Sequence, residues 1–203
     1  MIIIGLTGIL GSGKSTVAAL LRGRGLPVID FDALAKESLA RKETQDDIRD
    51  AFGDEYIVGD RVDVEKLTQT VFTKDPNVRK LEAIVHPRVR QEVERQLLAL
   101  EEKGVKAVII EHPLLFEVGF HRPVDKIVVV TATEEKLRDR LEKRGMKGDD
   151  AARRFSFQIP LREKEEKADY VINNNGAENQ LEAQIDSLVQ RITTWEETGH
   201  ASK

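Results

Sequence analysis

The chain has 203 residues, 40% of them hydrophobic and 33% charged, which suits one well-solvated domain with a sizeable core rather than two independent folds. A net charge of −4 gives no electrostatic reason to expect a nucleic acid or an anionic membrane as partner, and with no cysteine the chain has no disulfide, thiolate chemistry or cysteine–zinc site. The run from Met1 to Leu6 is too short for a signal segment and no stretch approaches the roughly 20 apolar residues of a membrane span, so a cytoplasmic protein is expected.

The first element is an aliphatic run, Ile2 to Leu6, of the kind a buried parallel strand shows: apolar throughout rather than alternating. Gly8-Ile9-Leu10-Gly11-Ser12-Gly13-Lys14-Ser15 follows and matches G-x-x-x-x-G-K-[ST] at every fixed position, with a helical pattern after it through Val17, Leu20 and Leu21. Glycines at these positions let backbone amides curl around an anion, and the helix that follows presents free N–H groups and its positive dipole end. Gly11, Ser12, Gly13, Lys14, Ser15 and Thr16 are therefore candidate nucleotide-phosphate ligands, with Lys14 as a point charge and the Ser15 hydroxyl as a candidate Mg²⁺ ligand.

A second strand is expected at Val28 to Asp30, closing as Val28-Ile29-Asp30-Phe31-Asp32. An acid at the C-terminal edge of a parallel sheet faces the crevice where ligands bind, and a carboxylate can take the proton of an acceptor hydroxyl. Asp30 and Asp32 would lie on one side if the strand runs through both; either could instead cap a helix. From about 33 to 104 the pattern is helical and far longer than one crossover, so it is expected to be an inserted substrate-binding region. Within it Leu81, Ile84, Val85, Val89, Val93, Leu97 and Leu100 fall at three-to-four spacing, and Gly104 follows the end. His86-Pro87-Arg88-Val89-Arg90 interrupts that helix, since Pro87 would break the preceding turn or start a new one. His86 is a structural histidine or a ligand contact on local chemistry alone, and Arg88 and Arg90 could both be solvated.

The third strand, Ala107 to Ile110, ends at Glu111, a candidate for holding Mg²⁺ through water or else a surface acid. The fourth is Lys126 to Val130, followed by Thr133 as N-cap of a helix that opens with Glu134 and Glu135. Asp125 and Asp169 precede their strands, at the face away from the expected site. Residues from about 144 to 168 are dense in charge and read as a lid or as a solvated helix pair. The last strand is Tyr170 to Ile172, and Leu181, Ile185, Leu188, Val189, Ile192 and Trp195 make an amphipathic C-terminal helix. Strands alternating with helices predict a single α/β domain over 1–203 with a doubly wound, five-stranded parallel sheet.

The order of these pieces resembles the dephospho-coenzyme A kinase family from about Ile2 to Leu181. The resemblance rests on Gly5-Leu6-Thr7-Gly8 with the loop ending at Thr16, Val28-Ile29-Asp30-x-Asp32, Val71-Phe72, His86-Pro87-x-x-Arg90, Pro113-Leu114-Leu115-Phe116-Glu117, Arg140-Leu141-x-x-Arg144, Arg154 with Gln158, Lys164, and Asn174-Asn175-Gly176. It implies a P-loop kinase fold with a helical coenzyme-binding region and a mobile lid. It implies ATP and Mg²⁺, and transfer to the ribose 3′-hydroxyl of dephospho-coenzyme A. By the same resemblance Asp32 would be the base, with Lys14 and Arg140 also catalytic. Arg144 would hold phosphate, and Asn175 and Gly176 would lie near the adenine of ATP. Thr7, Asp32, His86, Arg90 and Glu117 would meet the acceptor. No obligate protein partner is implied. The chain departs from the usual pattern at Ile9 (commonly glycine), Phe31 (commonly small), His112 (commonly aliphatic), Asn173 (commonly Asp) and Arg162 (commonly acidic). Two alternatives stay open: another small-molecule P-loop kinase, acting on a nucleoside or sugar, or a nucleotide switch without an acceptor. A GTPase-type switch would carry an Asn-Lys-x-Asp string, and none occurs.

Overall fold

The computed structural model describes residues 1–71, 75–120, 122–146 and 148–199; Phe72 lies outside them. The chain divides into two compact units, Met1–Ile29 with Leu100–Lys203, and Asp30–Ala99.

The first unit opens with β1 (Ile2–Thr7), whose Ile4 and Leu6 are wholly buried, and α1 (Lys14–Gly23), which turns Val17, Ala18 and Leu21 inward. The short β2 (Val28–Asp30) ends where the second unit begins.

In the second unit, α2 (Phe31–Leu39) follows β2 without a break. The strand therefore does not continue through Asp32. Asp30 is extended and its carboxylate accepts from the Ala33 amide at 3.0 Å, which makes it the cap of α2 and puts Asp32 in the first helical turn. Next come α3 (Lys42–Phe52), a 3₁₀ turn (Asp54–Tyr56), the hairpin of β3 (Ile57–Val58) and β4 (Arg61–Val62), and α4 (Val64–Val71). The sequence reading missed the hairpin, because two-residue strands carry no legible alternation; its signal is the Gly59-Asp60 turn, with Gly59 at φ 60°. Ile48, Tyr56, Leu67 and Val71 form this unit's core.

The long α5 (Asp75–Glu102) runs straight through Pro87, contrary to the expected interruption. Proline removes one backbone donor, but twenty-eight residues of helix with Val85, Val89 and Val93 buried on one face outweigh that loss. The Arg88 guanidinium donates to the Ile84 carbonyl at 2.6 Å within the crowded turn and reaches Asp47 of α3 at 2.6 Å, so it is not simply solvated.

Back in the first unit, Gly104 ends α5 at φ 74°, with amide bonds from Gly104 to Glu101 and from Val105 to Leu100, the pattern that closes a helix on a left-handed glycine. Then follow β5 (Ala107–Glu111), β6 (Lys126–Thr131), α6 (Glu134–Lys143), α7 (Gly148–Ser156), α8 (Leu161–Glu166), β7 (Tyr170–Asn173) and α9 (Glu178–Gly199). Thr133 caps α6 as expected, accepting from the Lys136 amide at 3.4 Å.

The sheet order is β2-β5-β1-β6-β7, with β1 parallel to both β5 and β6 and β6 parallel to β7. This is the doubly wound arrangement. β1 lies at its centre, and the chain builds outward on either side, so loops at the strands' C-terminal ends open around β1. α1 and α9 pack the core with Leu181, Ile185, Leu188 and Ile192 against Ile4, Ile109, Val128 and Ile172. Asp125 and Asp169 hold the opposite edge: their carboxylates accept the amides of Ile3 at 2.7 Å and Ile127 at 2.8 Å. Beside them Lys126 lies 5.7 Å from the ring centre of Trp195. Among the described residues no helix is long and apolar enough to cross a membrane.

The capping geometry makes a stability prediction. Asp30→Ala should cost about 1 kcal/mol, the usual loss for an N-cap carboxylate. Denaturant unfolding of both chains measures it, and an unchanged midpoint would refute the cap.

Candidate active site

The turn after β1 depends on glycine at particular positions. Gly11 sits at φ 81° and Gly13 at φ 95°, and a Cβ on Gly13 would collide with the Asn174 amide. Gly13 precedes α1 without any side-chain cap, and a helix start of this kind presents its positive end to an anion. The Lys14 ammonium folds back onto the carbonyls of Gly8 and Ile9, both at 3.0 Å. Ser15 and Thr16 follow in the first turn and are exposed. The Ser15 hydroxyl donates to Glu111 Oε1 at 3.1 Å. Glu111, only 6% exposed, is thus no surface acid, and the end of β5 is brought onto the start of α1.

Arg140, on α6, grips the loop from the far side. Its guanidinium donates to the carbonyls of Gly11 at 3.3 Å, Ser12 at 3.1 Å and Asn174 at 2.7 Å. The Asn174 amide also donates to Ser12 O at 2.8 Å. Asn175 accepts from the Thr133 amide at 2.6 Å, and Gly176 begins the turn into α9, where Gln180 accepts from the Ala177 amide at 3.1 Å. Arg144 stands at the C-terminal cap of α6 with its side chain exposed.

Under the loop lies a network that the residue pattern did not reveal. The Pro113 carbonyl accepts from Thr7 Oγ1 at 3.3 Å, Gln158 Nε2 at 3.4 Å and Lys164 Nζ at 2.9 Å. Lys164 is fully buried and pairs with Glu117 Oε1 at 2.8 Å, an oxygen that also accepts from the Ile159 amide at 2.9 Å. Burial pushes the Lys164 ammonium below its ordinary range, and the Glu117 carboxylate works against that shift. Thr7 and Glu117 therefore have their side chains turned toward this network. Nothing in the charge pattern of 144–168 singles out Lys164 as buried; the neighbouring charges are the solvated kind, such as Arg162 with Glu166.

Three departures have a packing account. Ile9 lines a cavity of about 540 Å³ with Leu137, Leu141, Met146 and Phe155. Asn173 accepts from the amide and the side chain of Asn175, at 3.1 and 2.7 Å. His112, 2% exposed, accepts from the Leu114 amide at 3.2 Å.

In the second unit, Asp32 is exposed in the first turn of α2, and Arg90 is exposed on α5. Phe31 is buried and meets the His86 ring edge-on at 5.8 Å between centres. Burial, and then the charge of Arg90, hold the His86 imidazole below its usual pKa, so it is neutral at neutral pH.

The comparisons agree with this geometry. The family model described as Dephospho-CoA kinase matches residues 2–180. A dephospho-CoA kinase of Bdellovibrio bacteriovorus is 37% identical over 92% of this chain and 94% of its own length. One from Geobacillus kaustophilus is 40% identical over 93% and 95%. Among solved structures, TT1252 from Thermus thermophilus aligns with a TM-score of 0.81 at 38% identity, covering 94% of this chain and 97% of that one. A shikimate kinase from Acinetobacter baumannii aligns at 0.53 with 15% identity over 96% and 94%, a likeness of fold alone.

The environment of His86 makes stability depend on pH in one direction. Its folded pKa lies below the ordinary 6.5, so between those values the unfolded chain binds a proton that the folded chain does not. Its contribution is whole above pH 6.5 and is lost as pH falls through the lowered value. The melting temperature of His86→Gln should therefore fall less than that of the parent between about pH 7.5 and about pH 5; equal slopes would show that His86 is not held neutral.

Proposed function

The chain belongs to the dephospho-CoA kinase family, and from that premise we propose how its own residues divide the reaction. The activity is ATP-dependent phosphorylation of the ribose 3′-hydroxyl of dephospho-coenzyme A, giving coenzyme A and ADP. One observation carries the assignment of chemistry to residues: the complete phosphate loop, with Ser15 hydrogen-bonded to the buried Glu111 at the sheet's C-terminal edge.

The ATP phosphates are cradled by the amides from Gly11 to Thr16. Lys14 leaves the Gly8 and Ile9 carbonyls for the β- and γ-phosphates, exchanging two neutral acceptors for an anion. Ser15 would hold Mg²⁺ directly and Glu111 through water. A hydroxyl and a carboxylate are the hard oxygen donors this ion takes, and it keeps several waters of its own. That suits a place where, among the described residues, no cluster of three or more acidic or histidine ligands occurs. When bound, the ion neutralises charge on the β- and γ-oxygens.

The 3′-oxygen attacks the γ-phosphorus, the bond from that phosphorus to the β–γ bridging oxygen breaks, and ADP carries away the electron pair. Asp32 takes the hydroxyl proton. Arg140 keeps the loop in shape through Gly11 and Ser12, and together with Arg144 meets phosphate charge as the lid over 144–168 closes. Asn175 and Gly176 border the adenine of ATP. The helical region over 33–104 receives the coenzyme, with His86 as a neutral partner and Arg90 as a charged one. Thr7 and Glu117 serve the acceptor indirectly, from beneath, through the Pro113 carbonyl. The reaction runs in the cytoplasm, where Mg-ATP is supplied.

ADP release should be fast with dephospho-coenzyme A and absent with its 3′-deoxy analogue, while nucleosides and sugars give none. Transfer to the deoxy analogue, or faster turnover of a sugar, would sink the reading. Asp32→Asn should lower kcat by roughly 10²–10⁴-fold with little change in ATP affinity, since the amide keeps the shape but cannot take the proton. Normal turnover in that variant would place the base elsewhere.

A further inference from the structure

The loop contains one peptide group held from two sides, between Ile9 and Leu10. Its carbonyl accepts from the Lys14 ammonium at 3.0 Å and from the Ser12 amide at 3.2 Å. Its N–H donates to Gln158 Oε1 at 3.0 Å. The two carbonyl donors are both groups that phosphate competes for: a lysine charge and an inward amide of the loop. Gln158 is different. It approaches the other side of the same planar group, carries no charge, and makes its contact through an acceptor oxygen, for which an anion does not compete.

We infer that Gln158 is a positioning residue for ATP, fixing the Ile9–Leu10 peptide while Lys14 and Ser12 turn to the phosphates. The inference rests on the reading above that this loop holds ATP. A glutamine is suited to the task because it must accept from Leu10 N and donate to Pro113 O at once; the opposite amide orientation would set donor against donor and acceptor against acceptor. The anchor is itself held. Pro113 O is fixed by the buried Lys164, Lys164 by Glu117, and Glu117 also takes the amide of Ile159, the residue next to Gln158. The ion pair is therefore the footing of the tether, and Gln158 is the one side chain of the group that touches the phosphate loop through Leu10.

Were Gln158 merely part of the packing, its loss would weaken both substrates alike. As a tether of one loop peptide it acts on ATP. Gln158→Met keeps length and volume and removes both polar ends. Titration of ATP without acceptor should show Kd raised roughly five- to twenty-fold, the size of one lost hydrogen bond with its partner left unsatisfied. KM for dephospho-coenzyme A should stay within about twofold, and kcat at saturating ATP should fall less than the ATP affinity does. Gln158→Ala should show the same split. In a Lys14→Ala background the effect of Gln158→Met on ATP Kd should shrink, because Lys14 no longer has to leave the peptide. An unchanged ATP Kd overturns the inference, as does an equal loss toward both substrates accompanied by a large fall in melting temperature. The ATP titration is read without acceptor. A parent chain that binds ATP but fails to phosphorylate dephospho-coenzyme A would refute the proposed function and leave the tether standing.

Discussion

A run of peptide groups after β1 has to point its amides at one small volume, and this sets the terms for much of the first unit. An extended strand points successive N–H groups to opposite sides; a helix points them along its axis. To pass from one to the other with the amides converging, the backbone must enter the left-handed region at Gly11 and Gly13, with no room for a side chain at the second. Such a turn has few internal bonds of its own. It is held from outside instead, by Arg140 and Asn174 on the carbonyls of Gly11 and Ser12 and by Gln158 on the Leu10 amide. The parallel sheet makes this possible, because the ends of β5, β6 and β7 all deliver their loops to the same edge as the end of β1.

How much of this was legible in sequence depended on the range of the signal. The five sheet strands were readable because each is a continuous aliphatic run, and the phosphate loop because its residues are adjacent in the chain. Glu111 was readable as the end of a strand, but its burial was not. The β3–β4 hairpin was not, being too short to show a period. Pro87 was misread, because the cost of one lost bond was weighed without the buried face of α5. The end of β2 was left undecided, and the Asp30 cap settles it. Least legible was the Pro113 network: Leu10 and Gln158 are separated by 148 positions, and no periodicity links them. A buried lysine in a segment crowded with solvated charge leaves no mark in composition.

The departures from the usual family pattern follow the same division. Ile9 replaces a commonly small residue, and it lines the cavity beside α6 and α7. Phe31 stands between the two aspartates but turns inward onto His86, so the exposed Asp32 keeps its place in the helical turn. In both cases the larger side chain has a place of its own, a cavity wall for Ile9 and the His86 ring for Phe31.

Trp195 is the chain's one tryptophan, and it packs on the first unit's core beside Lys126 at the start of β6. That edge of the sheet is the one held by Asp125 and Asp169, opposite the phosphate loop. Nature has thereby supplied an optical reporter with a defined field of view. Its emission should report the melting of the sheet and of α9 from the end of the strands remote from the phosphate loop.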